Sequence, residues 1–204
     1  MPTPNKIILA SGNKKKLGEL SSILSPYSME LIPQSVYHVE DAIENGLTFV
    51  ENAIIKARHA CEKTNLPCIA DDSGIEVDFL NGRPGIYSAR YAGENATDQQ
   101  NLNKLLYSLE SVPKENRTAR YQCVIVYMRH AKDPTPIISQ ASWQGIILES
   151  SVGDSGFGYD PIFFCPLANK TAAQMTAEEK ASVSHRGKAL NQFARFLAEQ
   201  DIKK

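Results

Sequence analysis

No apolar run in the 204-residue chain approaches the ~18 residues that a helix needs to cross a bilayer, which disfavours a membrane protein. The four cysteines, Cys61, Cys68, Cys123 and Cys165, form no C-x-x-C pair. Each sits in or beside an apolar stretch such as Pro67-Cys68-Ile69-Ala70, so buried free thiols of a reducing cytoplasm are expected rather than a disulfide framework or a zinc site. Net charge is nearly absent too, with 22 basic side chains against 23 acidic ones and a formal charge of −1. A protein that grips an extended polyanion usually carries a basic excess, so a nucleic-acid-binding module is disfavoured. A compact anion stays open as a ligand, because a few clustered cations serve it without moving the total. There is no G-x-x-x-x-G-K-[ST] loop, which excludes P-loop ATPase chemistry. The run Met1-Pro2-Thr3-Pro4-Asn5-Lys6 lacks the architecture of a signal peptide, and a cytoplasmic location is the expectation.

What is present is an alternation of strand and helix patterns without internal repeats. Lys6 to Ala10 reads as a buried strand, and Leu17, Leu20, Ile23 and Leu24 recur at helical spacing before Pro26. A second strand is expected over Met29 to Ile32. Thr48-x-x-Glu51, Thr97-x-x-Gln100 and Thr176-x-x-Glu179 are capping-box signals for three helices, and Ser184 is placed to cap a fourth. Cys68 to Ala70 and Ile75 to Phe79 read as strands on either side of a polar loop, Asp71 to Gly74. The two longest strand candidates, Ala119 to Met128 and Ile137 to Leu148, are joined by a proline-bearing loop that suits an antiparallel pair. The expected architecture is α/β: one domain with a mixed, twisted sheet flanked by helices, in two lobes.

Three polar segments follow expected strand ends, where α/β proteins usually build sites. In Ser11-Gly12-Asn13-Lys14-Lys15-Lys16, three lysines stand at a helix start, where the dipole disfavours cations unless an anion binds; a solvated charge run accounts for the same residues. Asp71-Asp72 suits Mg²⁺, which takes one or two carboxylates and keeps waters, with Glu44 as a further ligand; an Asx-turn is the plain alternative. Phe157-Gly158-Tyr159-Asp160 combines aromatic faces that stack on a planar base with a carboxylate, or it is a packing turn. Lys180, His185 and Arg186 flank a helix start that favours an anion or a purine oxygen, or they are surface groups without a role. No Ser-His-Asp or Cys-His arrangement stands out. Taken together, the segments favour metal-assisted attack of water on a nucleotide phosphate.

Six ordered motifs resemble the inosine triphosphate pyrophosphatase (ITPase) family over nearly the whole chain. They are Ser11-x-Asn13-x-x-Lys16-x-x-Glu19, Thr48-Phe49-x-Glu51-Asn52-Ala53-x-x-Lys56-Ala57, Ala70 to Gly74, Pro84 to Tyr91, Gly156 to Pro161 and Ser184-His185-Arg186. The resemblance implies an elongated α/β fold with a long mixed sheet and two lobes around a central cleft. It also implies Mg²⁺-dependent hydrolysis of dITP, ITP and XTP to the monophosphate and pyrophosphate, by a homodimer. By the same resemblance Ser11 to Lys16 and Lys56 bind phosphates, Glu44 and Asp72 hold the metal, and Asp72 accepts the proton. Ser73 contacts substrate, and Phe157, Gly158, Tyr159, Asp160, Lys180, His185 and Arg186 bind the nucleoside. Relatives often carry an acidic doublet where this chain has Ile43-Glu44. The alternatives are a Maf-like pyrophosphatase of pyrimidine or modified nucleotides, and a nucleotide sensor without turnover.

Overall fold

A computed structural model describes residues 6–11, 17, 18, 20, 21, 24 and 29–201. The expectations for Gly12 to Lys16, and for the end of the helix at Pro26, lie outside the described residues. Seven strands form one sheet in the order β2-β1-β3-β4-β5-β6-β7. They are β1 (Lys6–Leu9), β2 (Glu30–Pro33), β3 (Cys68–Val77), β4 (Thr118–Met128), β5 (Ile137–Ile147), β6 (Phe163–Cys165) and β7 (Lys170–Thr171). β1 lies parallel to both β2 and β3, whereas β6 lies antiparallel to β5 and β7. The sheet is therefore mixed. Neighbouring β4 and β5 are joined only by residues 129–136. A parallel pair needs a crossover of about a dozen residues or more, so this connection makes a hairpin.

The helices are α1 (Phe49–Thr64), α2 (Asp98–Ser108), α3 (Ala177–Val183) and α4 (His185–Asp201). Leu17, Gly18, Leu20, Ser21 and Leu24 are helical as well, with Leu20 and Leu24 buried. Thr48, Thr97 and Thr176 cap the first three helices through their side chains, and the Ser184 hydroxyl accepts from Gly187 N at 3.1 Å in the fourth. All four caps read from the sequence are thus in place. At α1 the Glu51 carboxylate reaches back to Leu47 N at 2.8 Å.

Asp71 to Gly74 is not a loop. β3 runs unbroken from Cys68 to Val77 through those four residues. Aspartate, serine and glycine in sequence carry a strong turn signal, but extended pairing and burial of the flanking Ile69, Ile75 and Val77 override it.

The chain divides into two compact units. The first holds the described residues up to Asp72, then Cys123–Gln140 and the described residues from Ala189 on; the second holds Ser73–Gln122 and Ala141–Lys188. In the first unit β1 has a parallel neighbour on each side, which is why Ile7, Ile8 and Leu9 form a wholly buried apolar run. α1 turns its buried face, Phe49, Ala53, Ala57, Ala60 and Cys61, away from solvent. The core of the second unit gathers Ile75 and Val77, Leu102, Leu105 and Leu109 of α2 and its end, Tyr121, Trp143 and Phe163. All four cysteines are buried free thiols, and among the described residues no helix is long and apolar enough to cross a membrane.

Candidate active site

In the first unit, register decides which side chains meet. Leu9 pairs with Pro33 of β2 and with Ile69 of β3, so Ser11, Gln34 and Asp71 all lie just beyond the stretch where these strands pair in parallel. This is the carboxyl end of β1 and β2, with β3 itself continuing to Val77. That end is where open α/β sheets place ligands. A cavity of about 150 Å³ opens there, lined by Ser11, Gln34, Asp41, Glu44, Lys56 and Asp71 with two alanines. Gln34 Nε2 donates to Asp41 Oδ1 at 2.6 Å, and the Asn52 side chain accepts from Gly46 N at 2.9 Å, which ties down both ends of the segment carrying Glu44.

Lys56 is the hub. Its ammonium lies 2.8 Å from Asp72 Oδ1 and 3.3 Å from Glu44 Oε1, and all three side chains are at least two-thirds buried. Burial alone would favour the neutral amine, but Asp72, Asp71 and Glu44 together outweigh it and hold the Lys56 pKa above its ordinary value. Asp72 is shifted upward as well: burial raises it most, Glu44 and Asp71 add to that, and Lys56 pulls against them. Its second oxygen, Oδ2, is buried with no hydrogen-bond partner among the described residues. The result is a fixed cation beside a carboxylate ready to take up a proton or a cation. Both aspartates of the doublet act on Lys56, although neighbours on a strand point to opposite faces.

In the second unit, Asp160 has a comparable place. It is 2% exposed, and it accepts from Phe157 N at 2.9 Å, from the Lys180 ammonium, and from the Tyr121 hydroxyl at 3.4 Å. Gly156 has φ +88°, and a Cβ there would overlap the Asp160 carboxylate, so glycine is required. Lys180 Nζ also lies 4.8 Å from the centroid of the Phe157 ring, which is 42% exposed. Tyr159 is buried instead, its hydroxyl donating to Ser88 O at 2.8 Å. Asp160 thus organises this loop, with both oxygens occupied.

His185 is buried and stacks on Tyr121, ring centroids 4.7 Å apart at 8°. Arg186 reaches Ser73 Oγ at 3.5 Å. Gly187 makes both positions possible, because a Cβ there would overlap the Ala181 carbonyl where α4 starts against the end of α3. Sequence reasoning missed Gln34, Asp41, Tyr121 and Gly187. Only His185-Arg186-Gly187 carried a signal, a glycine in the first turn of a helix without a turn to explain it.

The chain is similar to known proteins over nearly its whole length. A dITP/XTP pyrophosphatase of Salmonella paratyphi A is 59% identical over 185 residues, which covers 91% of this chain and 94% of that protein. One of Vibrio vulnificus is 54% identical, covering 97% of this chain and 98% of that protein. The structure of a HAM1 protein from Coxiella burnetii superposes with a TM-score of 0.91 at 47% identity, over 95% of this chain and 98% of that one. The Ham1 family model matches residues 7–196, and the chain belongs to the Ham1 family.

Proposed function

We propose that the chain hydrolyses the purine nucleoside triphosphates dITP, ITP and XTP to the monophosphate and pyrophosphate, with Asp72 as the group that activates water. The curated relatives are named for dITP and XTP pyrophosphatase activity. The observation that carries the residue assignment is the Lys56–Asp72–Glu44 cluster beside a cavity at the carboxyl end of parallel strands.

The residues present fit Mg²⁺. Asp72 and Glu44 are hard oxygen donors, and Asp72 Oδ2 is buried without a partner among the described residues. No group of three His, Cys, Asp or Glu side chains converges among the described residues, so the donor set suits an ion that keeps waters and phosphate oxygens. When bound by Asp72 and Glu44, Mg²⁺ supplies neutralisation of charge on the phosphate oxygens. Asp72 orients the attacking water and accepts its proton. Lys56 stabilises the charge that builds on the departing pyrophosphate, more in the transition state than before it. Ser11 and the segment Gly12, Asn13, Lys14, Lys15 and Lys16 serve the phosphates.

Phe157, Gly158, Tyr159, Asp160, Lys180, His185 and Arg186, with Ser73, serve the nucleoside. Hypoxanthine and xanthine present a 6-oxo acceptor where adenine presents an amine, and donors such as Arg186 leave a wrong base unpaired. Polar mismatch of that kind discriminates by orders of magnitude. We place the enzyme in the cytoplasm as a homodimer, acting on free nucleotides rather than nucleic acid.

The test is a panel of dITP, ITP, XTP, dUTP, UTP and the four ordinary triphosphates with Mg²⁺, detecting pyrophosphate and orthophosphate separately. Pyrophosphate from the first three with little from ATP is expected. Orthophosphate release, or equal turnover of the ordinary nucleotides, sinks the proposal, and preference for pyrimidines points to a Maf-like activity.

A further inference from the structure

The segment 153–158 has three glycines at positive φ, Gly153, Gly156 and Gly158, and it leads into the exposed Phe157 ring. Its two successive amides, Phe157 N and Gly158 N, are each held by a carboxylate. The first goes to Asp160, three residues along the same loop, at 2.9 Å. The second goes to Asp98 Oδ2 at 2.8 Å, sixty residues away in sequence. Asp98 is the first residue of α2, and the Thr97–Gln100 capping box fixes that helix start. Its carboxylate therefore stands on a rigid platform, whereas the backbone it grips is rich in glycine. Nothing in the reading of the nucleoside positions assigns Asp98 a part.

We infer that Asp98 is a positioning residue for the nucleoside: by holding Gly158 N it sets the backbone of the Phe157–Gly158 pair before substrate arrives. The inference rests on the proposal that this loop receives the base. Fixing a glycine-rich segment in advance removes ordering entropy that binding would otherwise have to supply. The effect belongs to binding of the nucleoside, not to attack at phosphorus, so it falls on KM and leaves kcat alone.

Asp98 is exposed, and its replacement leaves both cores intact. It also sits in the first helical turn, where a negative charge favours the dipole, and the test has to separate that role from the hydrogen bond. Asp98→Ala removes acceptor and charge; Asp98→Asn removes the charge and keeps an acceptor oxygen. Steady-state kinetics on ITP with both variants, alongside thermal unfolding, distinguish the two. The expected result is a KM for ITP raised roughly three- to tenfold in Asp98→Ala, the range for one charge-assisted hydrogen bond at an exposed site. In that variant kcat stays within twofold, and Asp98→Asn returns KM to within about twofold of wild type even if its Tm falls with that of the alanine variant. An unchanged KM in Asp98→Ala overturns the inference. Equal KM increases in both variants also overturn it, since helix charge then explains them, and so does a fall in kcat at constant KM. A wild-type enzyme that does not turn over ITP, dITP or XTP instead removes the proposed function, a separate outcome visible before any variant is made.

Discussion

Lys56 donates to Asp72 at 2.8 Å, from α1 to β3, and each group sets the protonation behaviour of the other. The helix is held by its Thr48 cap and its buried alanine face, the strand by β1. The pair therefore meets at a fixed place, which is the requirement for stabilising a transition state without reorganisation. Asp72→Asn keeps the shape and removes the base. Pyrophosphate release from ITP is expected to fall at least about a hundredfold, with a Tm near that of wild type. Activity within a few fold of wild type removes Asp72 from the chemistry.

Lys56→Met leaves Asp72 and Glu44 without the ammonium that both contact, and removes the positive charge that Asp71 also acts on. Breaking a largely buried ion pair on one side costs about 3 kcal/mol. The variant is expected to lose that much stability in urea unfolding, with the m-value unchanged, and to lose activity as well. Unchanged stability would mean that the Lys56 contacts are not made in solution.

Gly187→Ala tests the junction of α3 and α4. The added methyl group meets the Ala181 carbonyl, a backbone atom that cannot step aside, so the helix start has to shift. About 2–3 kcal/mol of destabilisation is expected from overpacking at such a site. The shift carries His185 and Arg186 with it, so KM for ITP rises as Tm falls. A wild-type Tm would show that the helices already stand further apart.

Local signals were legible in the sequence wherever one short segment carries the whole physical cause. The threonine caps need only a hydroxyl and a partner three residues on, and β1 needs only its apolar run. Asp71 to Gly74 failed because its cause is not local: the residues look like a turn, and only pairing and burial of the flanks keep them extended. Tyr121 was missed for a similar reason. It lies in a strand of alternating apolar residues and reads as core, yet its ring stacks on His185 and its hydroxyl reaches Asp160. Asp98 reads as an ordinary acid in the first turn of a helix, because its partner amide is sixty residues away. Residue chemistry suggested Asp72 with Glu44 as a metal pair, and only the family resemblance joined Lys56 to them.

The four thiols offer a test of packing. Each is buried, which denies a reagent access. The contact between Cys61 and Cys68, with burial, pushes the Cys68 thiol far up, while the same contact shifts the Cys61 thiol down, so for Cys61 it is burial that protects. The thiolate is the reactive form, so slow reaction is expected. Native protein treated with an aromatic disulfide reagent should release almost no colour, and denatured protein should release four equivalents. Rapid labelling of any cysteine in the native state would place that thiol at the surface.

Asp133 supplies a pH dependence independent of the active site. In the connection between β4 and β5 its side chain is 1% exposed, and Oδ2 accepts from Arg129 N at 3.0 Å and Arg129 Nε at 2.8 Å. Oδ1 accepts from Thr135 N at 3.0 Å. The hydrogen bonds from the Arg129 side chain, helped by backbone donors, hold this carboxyl well below the usual carboxylate range despite the opposing effect of burial. A carboxyl depressed in the folded state contributes stability that is fully present above its unfolded pKa of about 3.9 and lost as pH falls through the folded value. Asp133→Asn removes the charge at every pH. At pH 7 it is expected to cost about 1–3 kcal/mol, the scale for buried hydrogen bonds to a charged group. The gap between wild type and variant should then narrow from about pH 4 downward, as the wild-type carboxylate loses its advantage. Urea unfolding of both proteins from pH 7 to pH 3 measures it. A gap constant across that range would show that the Asp133 carboxyl is not depressed in the folded state, and no gap at pH 7 that the Arg129–Asp133 bonds add nothing to stability.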